Sequence, residues 1–217
     1  MTKALREGTR VGLANFATGV LNIPGLESRP GTPPERVRMA APPNSRAGRL
    51  TFEGDYATLT FERSIRHPVE AVWAALTDPE HLALWYMTDA RIDPRLGGTI
   101  DYRSGPARLH VTGKILTWEP PRVFEHEWNV EPRKDFPTGE SSIVRWELTP
   151  VGEATFLRFS HRRLTRQTAI VFSGGMHAFL DRLEDHLDAR PLGDWLVRVQ
   201  EVRSNYPSWG SGGKTGP

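Results

Sequence analysis

The side chains best suited to chemistry in this sequence are two histidines and one tyrosine, His126, His161 and Tyr102. Histidine exchanges protons near neutral pH, and a tyrosine hydroxyl can hydrogen-bond to a substrate as its partner. Each of the three lies in a segment where apolar and polar residues alternate, which is typical of a strand with one buried face. They are candidates for acid–base chemistry if their faces meet in one cavity.

The rest of the sequence lacks the partners that such an enzyme would need. It has no cysteine, no Gly-x-Ser-x-Gly nucleophile elbow, and no two histidines at the i, i+4 spacing of a helical metal site. A GGKTG run near the C-terminus resembles a phosphate-binding loop, but Ser208 stands where that motif requires glycine. We therefore treat the histidines and the tyrosine as weak catalytic candidates, expect neither a metal nor a cofactor, and favour binding over catalysis while leaving an enzyme open.

Aromatic residues supply a second candidate site, which would bind an apolar molecule. The segment HPVEAVWAALTDPEHLALWY, residues 67–86, ends on Trp85 and Tyr86, and Phe124, His126 and Trp128 share one face of a strand. Such rings combine apolar area with polar atoms that can orient a ligand, although core packing is an equal alternative for any single ring. The predicted binding residues are Trp85, Tyr86, Ile100, Tyr102, Phe124, His126, Trp128, Val144, Trp146, Phe159, His161, Phe172, Met176 and Phe179.

Helices must position part of this set. Pro68 favours a first helical turn and precedes apolar residues at helical spacing, while Asp78 and Pro79 form the N-cap and first turn of a second short helix. From about Thr168 to Leu187 a longer apolar stripe predicts a long amphipathic helix. Its Gly174–Gly175 pair could bend the helix and gate a cavity, or could simply reset the chain after a loop.

Strands must position the remainder. Seven segments have strand character: 55–67, 88–93, 97–103, 107–118, 122–130, 142–150 and 154–164. Short connections at 119–122 and 149–154 indicate antiparallel hairpins, because parallel neighbours need crossovers of about a dozen residues. The order of one strand, two helices, six strands and a long helix predicts an α+β fold in which one curved antiparallel sheet carries helices on one face.

The two ends of the chain differ in composition from its middle. Residues 1–48 carry seven Lys/Arg against three Asp/Glu and hold six Pro and six Gly, so we predict a disordered or linker-like extension there. A domain follows at 49–190, and 191–217 is predicted to be an extension with a short helix around Trp195 and a flexible glycine-rich end. The cysteine-free composition and the lack of a long apolar run or a secretory signal favour the cytoplasm.

The run FERSIRHPVEAVWAALTDPEHLALWY, then GGTIDYR, GKILTWEPPRVFEHEW and TFLRFSH, and the final helix containing Met176 resemble the START-like, Bet v-type superfamily called SRPBCC. The closest resemblance is to its branch named activator of Hsp 90 ATPase homologue 1-like. This resemblance covers roughly residues 50–190 and implies a helix-grip fold: a seven-stranded sheet wrapped around the C-terminal helix, with the two short helices closing one end of a cavity.

The resemblance and the residues together predict binding of a small hydrophobic or aromatic molecule between the sheet and the C-terminal helix. A polyketide cyclase- or aromatase-like enzyme that uses the cavity histidines is the alternative, and an interaction module acting on a chaperone ATPase is a second one. No residue pattern in the sequence supports a protein partner, and the question of such a partner is left open. The basic cluster HRRLTRQ, residues 161–167, is too small to predict nucleic-acid binding, since the rest of the folded part is slightly acidic, and no membrane association is expected.

Overall fold

The strands of the protein form one antiparallel sheet. The computed structural model describes residues 46–134 and 136–207 and, for residues 37–39, the backbone alone. Nine strands follow one another across the described sheet in the order β1-β2-β3-β9-β8-β7-β6-β5-β4. Their bounds are β1 Val37–Met39, β2 Arg49–Glu53, β3 Tyr56–Ile65, β4 Thr88–Ile92, β5 Thr99–Ser104, β6 His110–Glu119, β7 Val123–Val130, β8 Glu140–Val151 and β9 Ala154–Thr165.

Four α-helices accompany the described sheet, and residues at or just before the first turn of each favour the start of a helix. They are α1 Val69–Thr77, α2 Pro79–Trp85, α3 Arg166–Leu187 and α4 Trp195–Val202, and a short 3₁₀ turn, Arg203–Asn205, follows α4. The Asp78 side chain accepts a hydrogen bond from the Glu80 N–H, and Thr165 and Asp194 cap α3 and α4 in the same way. These caps satisfy N–H groups that a helix leaves free in its first turn.

The long helix α3 is the element that the sheet grips. It packs against β2, β3 and β9 and also contacts α1 and α2. Its buried residues Leu180 and Leu183 meet a core in which Leu59, Phe61 and Phe159 are almost completely hidden from solvent. The fold is therefore an α+β helix-grip fold, as predicted.

The observed elements match all seven predicted strands and add two. The added strands are β1 and β2, and β1 lies inside the range 1–48 that was predicted to be an extension. The short RLTFE segment of β2 stands next to a proline- and glycine-rich stretch, which masks its alternation. The predicted short helix near Trp195 is α4. Residues 1–36, 40–45 and 208–217 of the predicted extensions lie outside the described residues.

Membrane-spanning helices were also sought. Of the helices in the described part of the chain, none combines the length and the apolar character needed to cross a bilayer.

Candidate functional site

One internal cavity lies between the helix pair α1–α2 and the strands β5, β7 and β8. Its lining comes from α1 (Leu76), α2 and the residue after it (Leu82, Trp85, Tyr86), β5 (Tyr102), β7 (His126, Trp128) and β8 (Val144, Trp146). Seven of these nine residues belong to the predicted binding set. Leu76 and Leu82 were not predicted, although the apolar stripes of α1 and α2 could have indicated them.

The cavity is much smaller than expected. Its free volume is only about 10 Å³, which is room for about one water molecule. Aromatic rings occupy the remaining space edge to face: the Trp85 and Trp146 ring centroids are 6.5 Å apart at 90°. The prediction of an open space between the sheet and the C-terminal helix is therefore corrected, because the cavity faces α1 and α2 and its own side chains nearly fill it.

His126 presents a hydrogen-bond acceptor at this cavity. Its Nδ1 is 2.7 Å from the Glu127 carbonyl oxygen, and since a carbonyl only accepts, Nδ1 carries the proton. Its Nε2 has no hydrogen bond with any residue that the structure describes. Burial lowers the pKa of His126 to about 4. The imidazole is thus neutral at pH 7 and keeps one acceptor lone pair unused.

Two tyrosines, Tyr102 and Tyr86, also line this cavity. Burial raises the pKa of Tyr102 well above its ordinary value, so its hydroxyl stays protonated, and its ring lies 5.9 Å from the His126 ring. Burial also raises the pKa of Tyr86 to about 12. Neither hydroxyl has a hydrogen-bond partner among the described residues. Neighbouring rings of a mostly apolar wall therefore carry a hydroxyl donor and a nitrogen acceptor that have no partner among the described residues.

His161 has a different environment from the one predicted. It does not line the cavity, and its Nε2 is 2.8 Å from the Ser142 hydroxyl, which is itself 3.2 Å from the Trp128 carbonyl oxygen. Both bonds form when Ser142 donates to the carbonyl and accepts from the His161 Nε2–H. Burial lowers the pKa of His161 to about 3, so it is neutral. Its ring packs 5.2 Å from that of Trp128, a position that supports the cavity wall.

The other predicted binding residues are not part of the cavity lining. Ile100, Phe124 and Phe159 are buried in the core. On α3, the Phe172 ring lies 5.1 Å from the Trp128 ring, and the Phe179 ring lies 4.6 Å from the Tyr86 ring. Met176 is buried on the same helix. These residues support lining side chains and do not line the cavity themselves.

A larger hollow of about 300 Å³ lies elsewhere, around β2, β3, β8 and β9, and is open to solvent. Its wall includes Arg162, Arg163, Glu53 and Tyr56 but none of the predicted binding residues. Arg162 is already paired with Glu125. This hollow is open to solvent and includes two arginines, so it lacks the enclosed apolar surface that an aromatic ligand requires.

Comparisons with known proteins agree with this architecture. The crystal structure of CalU16 from Micromonospora echinospora is 24% identical, covers 79% of this chain and 94% of its own, and gives a TM-score of 0.56. The crystal structure of MLL2253 from Mesorhizobium loti is 28% identical, with coverages of 62% and 99% and a TM-score of 0.55. The solution structure of the BPP1335 protein from Bordetella parapertussis is 24% identical, with coverages of 83% and 94% and a TM-score of 0.56. These likenesses show a shared fold.

A search of curated protein sequences finds no significant match. The model of the family described as activator of Hsp90 ATPase homolog 1-like protein matches residues 66–188, which is more than half of the chain. The matched range runs from just before α1 to just after α3 and so contains the complete cavity lining. The chain therefore belongs to the activator of Hsp90 ATPase homolog 1-like family, within the SRPBCC helix-grip superfamily.

Proposed function

We propose that the protein binds a small, uncharged aromatic molecule in the cavity between α1–α2 and the sheet. The observation that carries this proposal is that the Tyr102 hydroxyl and the His126 Nε2, on two neighbouring residues of a mostly apolar aromatic wall, have no hydrogen bond with any described residue. Buried polar groups are nearly always paired, either with protein atoms or with water. A ligand hydroxyl could accept from Tyr102 and donate to His126.

The charge of the lining favours an uncharged ligand. None of its nine residues is a lysine, arginine, aspartate or glutamate, and the lowered pKa of His126 keeps its imidazole neutral at pH 7. A charged group that entered this space would lose its hydration without gaining a counter-charge. A flat ring can instead replace the ring–ring contacts that now fill the cavity.

Binding requires the lining side chains to move, because the present space admits about one water molecule. Tyr86 is the lining residue best placed to move, since it is only partly buried and directly follows the end of α2. Met87, the next residue, has a φ of 53°, a left-handed conformation that is costly for a residue other than glycine. Rotation at this junction would release strain while it widens the cavity.

A neutral fluorescent probe, N-phenyl-1-naphthylamine, provides the test. We expect saturable binding to the full chain, with a rise in fluorescence and in the unfolding temperature. Val144→Ile adds one methylene, which occupies most of the water-sized space, and should weaken binding, whereas Val144→Ala should strengthen it. Val151→Ile is the matched control, because Val151 lies exposed on the same strand.

Two results would contradict the proposal. Equal affinity of the wild-type, Val144→Ile and Val144→Ala proteins would show that the probe binds elsewhere. Absence of saturable binding to both the wild-type protein and the enlarged Val144→Ala cavity would show that the site does not accept aromatic molecules.

A cyclase-like enzyme is a second candidate, supported by the proximity of the protonated Tyr102 and the unpaired His126 nitrogen. Together these groups could polarise a substrate carbonyl and accept a proton. The lowered pKa of His126 makes it a weak base, which favours binding over turnover. If a polyketide-type substrate is cyclised, His126→Gln should abolish the reaction, and unchanged turnover would dismiss the assignment.

A further inference from the structure

We infer that α4 is a movable cover over the side of the cavity formed by Tyr86 and that it holds Tyr86 in place through Phe179. This inference rests on the proposed ligand-binding function. It assigns a positioning role to a helix that lies outside residues 66–188, the range matched by the family model. Ligand exchange then requires α4 to move away from α3.

A series of aromatic contacts connects α4 to the cavity. The ring of Trp195, the first residue of α4, lies 5.1 Å from the ring of Phe179 on α3. The Phe179 ring lies 4.6 Å from that of Tyr86, which lines the cavity. Trp195 and Tyr86 are both partly exposed, whereas Phe179 between them is buried. The three rings therefore form a continuous series of contacts from α4 to the cavity wall.

The Gly174–Gly175 pair provides the surface on which α4 rests. The Trp195 Nε1–H donates to the Gly175 carbonyl oxygen at 3.1 Å, and a Cβ added at Gly175 would stand 3.1 Å from the Trp195 ring. A Cβ at Gly174 would meet Val199 at 3.7 Å. The glycines lie inside α3, which runs from Arg166 to Leu187, and their missing side chains permit the close approach of α4.

Arg182 links the end of α2 to the segment that leads into α4. Its guanidinium donates to the carbonyl oxygens of Leu84 at 2.9 Å and Trp85 at 3.0 Å, and also to that of Gly193. The first two belong to the end of α2, directly before Tyr86. One side chain thus connects the end of α2 to the segment that enters α4. Movement of either segment would therefore disturb hydrogen bonds that hold the other.

The size of α4 suits a cover that opens. It has eight residues, and helices that short do not persist in water without tertiary contacts. Two residues, Val199 and Val202, are buried, and one ion pair joins Arg198 to Asp181 on α3 at 2.7 Å. Segments with few buried apolar contacts open at lower free energy than the core. Opening of α4 would free Phe179 and Tyr86 to rotate and enlarge the water-sized space.

A reversible cross-link tests the inference, and the cysteine-free sequence makes it specific. In the double variant Gly174→Cys/Val199→Cys the new Cβ on α3 stands 3.7 Å from the present position of the Val199 Cγ1, the side-chain branch that a cysteine sulfur would replace, so the two thiols face each other between α3 and α4. We expect the oxidised full-length protein to bind N-phenyl-1-naphthylamine at least about tenfold more slowly than the reduced protein, and a reductant to restore the rate. The two single-cysteine variants are the controls and should not respond to reductant.

A second variant keeps the inference testable if the disulfide does not form. Trp195→Ala removes the outer ring of this series and should increase both the association and the dissociation rate of the probe, with a smaller change in affinity. Probe rates that do not depend on the cross-link or on Trp195, in a protein whose affinity still responds to Val144→Ile, would overturn the role of α4 and leave the binding site intact. If the probe affinity did not change in the Val144→Ile variant, the proposed binding function itself would be contradicted.

Discussion

At the residue scale, two histidines of similar sequence context have different roles because of what each contacts. His126 bonds through one nitrogen to its neighbouring backbone and leaves the other free at the cavity. His161 is held by Ser142, which pairs directly with Trp128 across β7 and β8. The sequence shows the alternation of both strands, but only the register shows that Ser142 reaches His161.

The unused hydroxyl of Tyr102 leads to a first prediction. Tyr102→Phe should leave the free energy of unfolding nearly unchanged, since the hydroxyl has no hydrogen bond with any described residue. It should weaken binding of 2-naphthol about three- to tenfold, the value of one hydrogen bond, without affecting naphthalene. Calorimetric titration of both compounds provides the measurement, and equal losses for the two would contradict the predicted bond.

The Ser142–His161 pair leads to a second prediction. Ser142→Ala should lower the free energy of unfolding by about 1–3 kcal/mol, because it leaves a buried imidazole nitrogen and the Trp128 carbonyl without their partner. Urea denaturation measures the change. Ser141→Ala is the matched control, since the Ser141 hydroxyl bonds to Asn129 on the exposed face of the same strands. Equal effects of the two substitutions would refute the special role of the buried pair.

At the element scale, the end of α2 depends on a side chain from another helix. The last carbonyl groups of a helix lack intrahelical partners, and in α2 Arg182 of α3 supplies hydrogen bonds to two of them. Trp85 is fixed further by its indole N–H, which donates to the Ala75 carbonyl at 2.7 Å. Trp85 is therefore held by hydrogen bonds at both its backbone carbonyl and its side chain, whereas the Tyr86 hydroxyl has no hydrogen bond with a described residue.

A third prediction concerns this arginine. Arg182→Leu should lower the free energy of unfolding by about 2–3 kcal/mol and should accelerate hydrogen exchange at residues 82–86, because charge-assisted bonds to buried carbonyls are lost. Arg190→Leu serves as the control, since Arg190 forms exposed ion pairs with Asp185 and Asp188 and should cost less than about 1 kcal/mol. Unchanged exchange at the end of α2 would contradict the capping role.

At the scale of the whole molecule, buried histidines make folding depend on pH. Burial lowers the pKa of His126 to about 4, that of His161 to about 3 and that of His177 to about 4. In the unfolded chain each returns toward 6.5. Below pH 6.5 the unfolded state therefore binds more protons than the folded state, so acid favours unfolding.

The fourth prediction is the resulting pH profile. The free energy of unfolding should be insensitive to these groups above pH 6.5 and should fall as the pH drops from 6.5 to about 4, by up to about 1.4 kcal/mol per pH unit for each histidine. Urea denaturation at several pH values measures the slope. His161→Gln should reduce it by about one third. A flat profile between pH 7 and 5 would show that these histidines are not buried in the neutral form.

Most of the fold could be predicted from sequence periodicity, but the interior of the site could not. Alternation located seven strands, and Asp78 correctly marked the start of α2. The position of the cavity depends on how the rings of Trp85, Tyr86 and Trp146 pack, which alternation does not determine. Similarly, the contact between α4 and the glycine pair joins segments that no local pattern relates.

The two edges of the sheet limit how the molecule can associate with copies of itself. The outermost described strands are β1, with three residues, and β4, with five, and β4 exposes the charged side chains of Asp89 and Arg91. A three-residue strand, and a short strand with exposed charges, offer few free backbone groups and a poor template for another strand. Growth of fibrils by addition of chains to these borders is accordingly disfavoured, although the interior strands are long and rich in aromatic residues.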